Sequence, residues 1–413
     1  MRKLSRRFGA VPGVTALIGV LVAASSVQVG AQTYRVLYNF KGSADGRTPL
    51  GGLVRDSAGN LYGTTYSGGV YNAGTVFKLD SMGRETLLYT FSGQADGAYP
   101  GSLIRDPAGN LYGIAAWGGD TSCAVASYGC GTVFELDTTG AFTVLHTFAA
   151  GTDGAVPTGL VRDATGDFYG TTFYGGDMPC PLGFGCGTVF RLDASGKEAV
   201  LYNFTGGTDG EGPIGLTLGS EGSLYGATYY GGDTACGGYD GDGCGTVFKV
   251  DRTGAEVVLH GFAGGTDGST PNSELVVDAA GNLYGTTYDG GGAALCPGLF
   301  VYGCGTVFRV DASGKETVLY SFGGRTDGAA PGGLVGDAAG NLYGTAGGGN
   351  FAFGMVFKVD TAGAETVLHN FTGKDGAEPA GALTMDAAGN LYGTTEIGGA
   401  HHLYGVVFEL RRY

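Results

Sequence analysis

Three neighbouring segments share an aromatic residue followed by Gly-Gly-Asp: Trp117 with Asp120, Tyr174 with Asp177, and Tyr230 with Asp233. Flat rings beside carboxylates suit sugars, whose apolar faces stack while their hydroxyls donate to oxygen acceptors. Packing at strand ends accounts for the same rings without any ligand. Trp117 is the only tryptophan in the chain. A second set of carboxylates recurs at Asp45, Asp96, Asp153, Asp209, Asp267, Asp327 and Asp375, each opening an Asp-Gly that is soon followed by proline. A ring of them would suit calcium. The expectation is that each caps its own turn, so the reading carries no cofactor, with calcium as the one ion kept in view.

Eight cysteines fall into four close pairs: Cys123 and Cys130, Cys180 and Cys186, Cys236 and Cys244, Cys296 and Cys304. None has CxxC spacing and no histidine stands nearby to complete a zinc set, so disulfides are expected and no metal centre. Sequence signatures of hydrolases, zinc proteases and nucleotide-binding loops are missing. His146, His260 and His369 occupy a position held by Tyr38, Tyr89, Tyr202 and Tyr320 elsewhere, which reads as scaffold; His401 and His402 escape that explanation. Paired carboxylates can support glycosidase chemistry, yet 38 acidic residues give no basis for choosing two.

The elements that must position these residues follow from internal repetition. Gly-Thr-Val-Phe or a near relative ends at Phe77, Phe134, Phe190, Phe248, Phe308, Phe357 and Phe408. Leu-Tyr-Gly or Phe-Tyr-Gly ends at Gly63, Gly113, Gly170, Gly226, Gly285, Gly344 and Gly393. Each unit reads as four strands, the first as Gly52–Asp56, Asn60–Thr65, Gly74–Asp80 and Glu85–Phe91, bounded by Gly, Asp and Asn. Apolar residues on both parities mean both sheet faces are buried, as when four-stranded sheets stack radially. The recurring glycine of the second strand is expected to sit where a neighbouring blade passes too close for a side chain. The last unit offers three strands, and a spare fourth, Tyr34–Phe40, stands near the N-terminus. The fold expected is therefore all-β: a seven-bladed β-propeller of four-stranded blades, with the N-terminal strand closing the last blade.

The cysteine pairs lie in loops between second and third strands, in the units with insertions. Those loops and the Asp-Gly turns are expected on one face of the ring, the place for a binding site. Asp56, Asp106, Asp163, Asp278, Asp337 and Asp386 open tight turns elsewhere, and the fourth unit has Gly219 there.

Residues 1–31 read as a cleaved signal peptide: Arg2, Lys3, Arg6 and Arg7, an apolar run from Val11 to Ala24, then Val29-Gly30-Ala31. Residues 32–413 are expected to form a single propeller domain. Losing four basic residues leaves 19 basic against 38 acidic, a net charge of −19. Such a surface repels nucleic acid and anionic membranes. Neutral glycans or proteins are the partners expected, for a monomer exported to the periplasm or the extracellular space.

The motifs Gly-Thr-Val-Phe-Lys-Leu-Asp, Asp-Gly-x-x-Pro and Gly-Asn-Leu-Tyr-Gly-Thr-Thr together resemble the GloVer-type tandem repeat of exported bacterial proteins, from about Val36 to Leu410. The layout is also similar to NHL-type propeller repeats. The resemblance implies a propeller-like fold and an extracellular or cell-envelope location. It brings no activity and no catalytic residues, and the C-terminal sorting anchor of some relatives is missing here. The function expected is a secreted binding module on the looped face. The alternative is a carbohydrate-active enzyme with carboxylates at the channel mouth, and a purely structural envelope component fits as well.

Overall fold

The computed structural model describes residues 32–412, except 124–127, 177–179, 181–182, 234–235, 237–242, 293–295, 297–302, 325, 351 and 402. Short β-branched and aromatic runs between glycine turns form seven antiparallel sheets. The first blade holds Val54–Arg55, Leu61–Thr65, Thr75–Leu79 and Glu85–Thr90, paired in chain order. Five more blades repeat that order; in the fifth, the first strand is split into Ser269–Pro271 and Val276–Val277, both pairing with Leu283–Asp289. The last blade is Ala377–Met385, Leu391–Ile397 and Val406–Arg411, completed by Thr33–Asn39. Thr33 lies opposite Arg411 and Asn39 opposite Val406. The two ends of the chain thus share one sheet and the ring is closed as the sequence implies.

Phenylalanine holds each blade to the next. The residue just after each fourth strand meets the third-strand Phe of the following blade edge-on: Phe91 with Phe134, Phe148 with Phe190, and so on to Phe371 with Phe408. The seventh pair is Phe40 with Phe77, 5.1 Å between centroids, supplied across the closure by the N-terminal strand. All these rings are fully buried. Buried aromatic pairs of this geometry contribute about 0.5–1.5 kcal/mol beyond their burial.

The second-strand glycine has a different cause from the one expected. A Cβ on Gly63 would lie 2.7 Å from the Phe77 ring and 2.8 Å from Leu53, both in its own blade. Gly63 and Phe77 face each other in register, so the ring folds over its own sheet. The other six copies meet their own phenylalanine the same way. Intra-blade packing fixes the glycine, and the adjacent blade does not.

Candidate functional site

Loops between second and third strands share a face with the connections entering each blade, because the two are bonded to each other. The N–H of the residue before each Asp-Gly-x-x-Pro proline donates to a loop carbonyl of the preceding blade, as Tyr99 does to Ala73 at 2.8 Å and Val156 to Cys130 at 2.8 Å. That residue has a left-handed backbone in every blade, with φ of 58° at Thr48, 56° at Tyr99, 58° at Val156 and 63° at Gly212. Bulky residues rarely hold this conformation unless their surroundings enforce it. Here the inter-blade hydrogen bond and the following proline enforce it, and at Tyr99 the side chain lines an open pocket.

At the seam between blades one and two this arrangement builds a pocket. Tyr99 stacks on Tyr66 with centroids 4.6 Å apart and planes 15° from parallel. Trp117, at the end of the strand Leu111–Trp117, and Tyr128 complete the walls, their rings edge-on at 6.5 Å. The cavity measures about 650 Å³, open to solvent, with Arg47, Ser67 and Asn72 as its polar side. Arg47 donates to Ser67 Oγ at 3.1 Å and to Asn72 Oδ1 at 3.0 Å, which holds the three in place. Burial raises the Tyr66 hydroxyl above its ordinary range, Tyr99 adding to it and a hydrogen bond with Trp117 opposing it. The hydroxyl stays protonated at neutral pH.

The sequence-derived residues do not form one cluster. Tyr174 packs on Phe173 at 4.8 Å and on Phe184 at 5.9 Å, while Tyr230 packs on Tyr229 at 4.7 Å. Phe173 reaches Tyr230 at 6.5 Å, so these rings make a second aromatic group at the seam between blades three and four. Asp120 accepts from Ser122 N and Oγ at 2.8 and 2.7 Å, bonds that hold its carboxyl below the ordinary range. It therefore caps its own loop. Asp233 is exposed, and Asp177 lies outside the described residues. Tyr66, Tyr99, Tyr128 and Arg47 were missed by sequence reasoning. Their signal was positional: Tyr66 and Tyr99 occupy unit positions that the shared motif leaves variable.

Each Asp-Gly carboxylate serves its turn, as expected. Asp209 accepts from Thr205 N at 2.8 Å and from the Tyr202 hydroxyl at 3.0 Å. Tyr38, Tyr89 and Tyr320 bond Asp45, Asp96 and Asp327 in the same way. At the three histidine positions the imidazole takes the tyrosine's place, and His369 Nε2 lies 3.1 Å from Asp375. Disulfides join Cys123 to Cys130, Cys180 to Cys186, Cys236 to Cys244 and Cys296 to Cys304. Each staples a looped-face insertion.

On the axis the chain carries one carboxylate that sequence reasoning also missed. Glu274 stands where the other units have Gly52, Ser102, Gly159, Gly215, Gly333 and Ala382. It projects into a central cavity of about 410 Å³ walled by first strands. A Cβ on Gly215 would lie 2.6 Å from its Cγ, so the small residues make room for it. Its surface is wetted from the channel, yet protein surrounds it, and that desolvation raises its carboxyl to about 7. Among the described residues it is the one ionisable side chain lining this cavity. A glycosidase pair needs a second carboxylate beside the first.

The model of the Gloeobacter/Verrucomicrobia repeat matches residues 9–239, 121–300 and 297–412. No curated protein gives a significant sequence match. Among solved structures, a streptogramin B lyase is similar with a TM-score of 0.59 and 14% identity, covering 92% of this chain and 98% of that one. The virginiamycin B lyase of Staphylococcus aureus gives 0.58 and 14%, with the same coverage. The extracellular domain of a putative hybrid two-component system from B. thetaiotaomicron gives 0.55 and 13%, covering 91% of this chain and 41% of that one. At such identity the likeness is one of fold alone. No helix among the described residues is long and apolar enough to cross a membrane.

Proposed function

The chain belongs to the Gloeobacter/Verrucomicrobia repeat family, and on that premise we propose that it is an exported binding propeller whose looped face takes a neutral glycan. The observation that carries this reading is the open pocket between blades one and two, with four aromatic rings on one side and Arg47, Ser67 and Asn72 on the other. Sugar rings offer apolar faces to stack and hydroxyls to satisfy such polar groups. Four disulfides support export, since they persist in oxidising compartments. The excess of acidic residues favours neutral ligands over polyanions.

The test is a glycan array probed with the mature protein, followed by calorimetry on any hit and incubation to look for products. Saturable binding without turnover, weakened at least tenfold in Trp117→Ala with unchanged circular dichroism and Tm, is expected. Release of new reducing ends would replace the binder with an enzyme. Binding that Trp117→Ala leaves intact would move the site off this pocket.

A further inference from the structure

The seven blade-to-blade seams repeat one polar contact at the outer edge, three of them with histidine in place of tyrosine, and one of those three gathers its groups most closely. Where the fourth strand carries tyrosine, its hydroxyl donates to the Asp-Gly carboxylate of the same connection, and the first residue of the next fourth strand is usually glutamate. At the seam between blades four and five the tyrosine is replaced by His260, in the strand Glu256–Gly261. Its neighbours are Asp267 and Glu316, the latter opening the strand Glu316–Ser321. One imidazole nitrogen and one oxygen from each carboxylate lie within 4.8 Å of one another. His260 Nε2 is 3.3 Å from Asp267 Oδ1 but not aligned for a hydrogen bond, and Glu316 Oε1 has no partner either. Both of these atoms are shielded from solvent. The corresponding glutamate oxygens of Glu85, Glu198, Glu256 and Glu365 are unpartnered as well, so what sets this seam apart is the closeness of its three donors, which one cation would satisfy together.

We propose that His260, Asp267 and Glu316 bind a first-row divalent cation, zinc by donor chemistry, bridging blades four and five. One imidazole with two carboxylates is a zinc-type donor set that leaves a fourth position for water. Calcium prefers six to eight oxygens and no nitrogen. Donor atoms held at about 2.0–2.2 Å from a tetrahedral ion are roughly 3.5 Å apart. The histidine–aspartate separation already meets that, and rotation of the Glu316 side chain closes the rest. The cation would also turn two apposed carboxylates from repulsion to attraction. His260 and Asp267 keep 18% and 22% of their side chains exposed, so the ion enters without opening the seam.

The other histidine seams act as internal controls. His146 stands 3.6 Å from Asp153 in a looser set with Glu198, and His369 already pairs with Asp375 while Tyr34 stacks on it at 3.8 Å in place of a glutamate. The experiment titrates zinc, with a chromophoric chelator as competitor, into the metal-stripped mature chain with its disulfides intact. Cobalt absorption then reports the ligand set. One tight equivalent is expected, with a Tm rise of a few degrees at saturation. His260→Tyr, which installs the residue the same scaffold uses at four other seams, should keep the fold and lose that equivalent and the cobalt bands. His146→Tyr should retain both. Zinc binding unchanged in His260→Tyr, or no tight equivalent in the parent chain, would overturn the proposal.

Discussion

The seam between blades one and two and the seam between blades six and seven have the same backbone and opposite chemistry. Tyr99 and Glu378 both sit before proline with φ of 56° and 54°, and both donate to the preceding blade, to Ala73 at 2.8 Å and Phe353 at 2.9 Å. Trp117 faces Ala98 across its blade as Ile397 faces Ala377. Yet Tyr66, Tyr99 and Trp117 on one seam become Gly347, Glu378 and Ile397 on the other. Burial and the neighbouring Glu378 raise the carboxyl of Glu396 there, and the exposed ring at that seam is Phe353. The ring thus supplies seven equivalent shelves, and only side chains decide which of them can receive a ligand.

If the scaffold is common to both seams, damage to it should be equal at both. Phe134→Ala removes the ring that Phe91 packs on, and Phe408→Ala the ring that Phe371 packs on. Each is expected to cost about 3–5 kcal/mol, a fall in Tm of roughly 4–6 °C for a domain of this size. Thermal unfolding of the two variants checks it. A loss at one seam more than twice that at the other would mean the blades are not equivalent supports.

The next largest effect separates the two seams. The loop carrying Tyr128 is stapled by Cys123–Cys130, whereas the last blade's loop has no cysteine. Replacing both cysteines with serine should cost about 2 kcal/mol by chain entropy. It should also weaken glycan binding by freeing Tyr128. Unchanged Tm and unchanged affinity together would show the staple to be irrelevant to the pocket.

Much of this was legible because a seven-fold repeat reports the same physics seven times. The strand count, the closure by residues 34–40, the four disulfides and the turn-capping role of the Asp-Gly carboxylates all followed from positions that recur. The candidate site was less legible because its residues lie where the repeat is broken. Tyr99 and Glu274 look unremarkable in a linear reading; they emerge only when units are aligned and the odd residue is asked what its neighbours have instead. The shared Gly-Gly-Asp motif pointed to Trp117 and to Asp120, whose Oδ1 caps its own loop. The reason for the second-strand glycine was also hidden, since which phenylalanine covers it depends on side-chain direction, not on spacing.

A swap sharpens the comparison at the level of single residues. Tyr99→Glu imports the residue of the last seam into the first, at a backbone conformation the scaffold already gives to glutamate. Glycan affinity should fall about tenfold, roughly 1.4 kcal/mol, with Tm almost unchanged. Calorimetry with the array hit measures it; full affinity in this variant would exclude Tyr99 as a wall of the site.

The smallest effect tests whether the sectors share their outer edge. Glu256 faces Asp209 at the seam of blades three and four, and Glu365 faces Asp327 at the seam of blades five and six. Burial first, and the neighbouring aspartate second, raise both carboxyls from the ordinary 4.5 to about 7. Each keeps one shielded oxygen without a hydrogen-bond partner. The folded state therefore holds protons that the unfolded chain has released between pH 4.5 and 7, so stability is greatest below that window and declines as pH rises through it. Both groups are half-buried, and with solvent screening the two together should cost about 1–2 kcal/mol between pH 5 and pH 8. The corresponding fall in Tm is roughly 1–3 °C. Glu256→Gln and Glu365→Gln should each remove about half of that pH dependence, because the amide cannot ionise against its aspartate. If one substitution reduces the pH dependence and the other leaves it untouched, the two seams differ in their scaffold as well as in their surface.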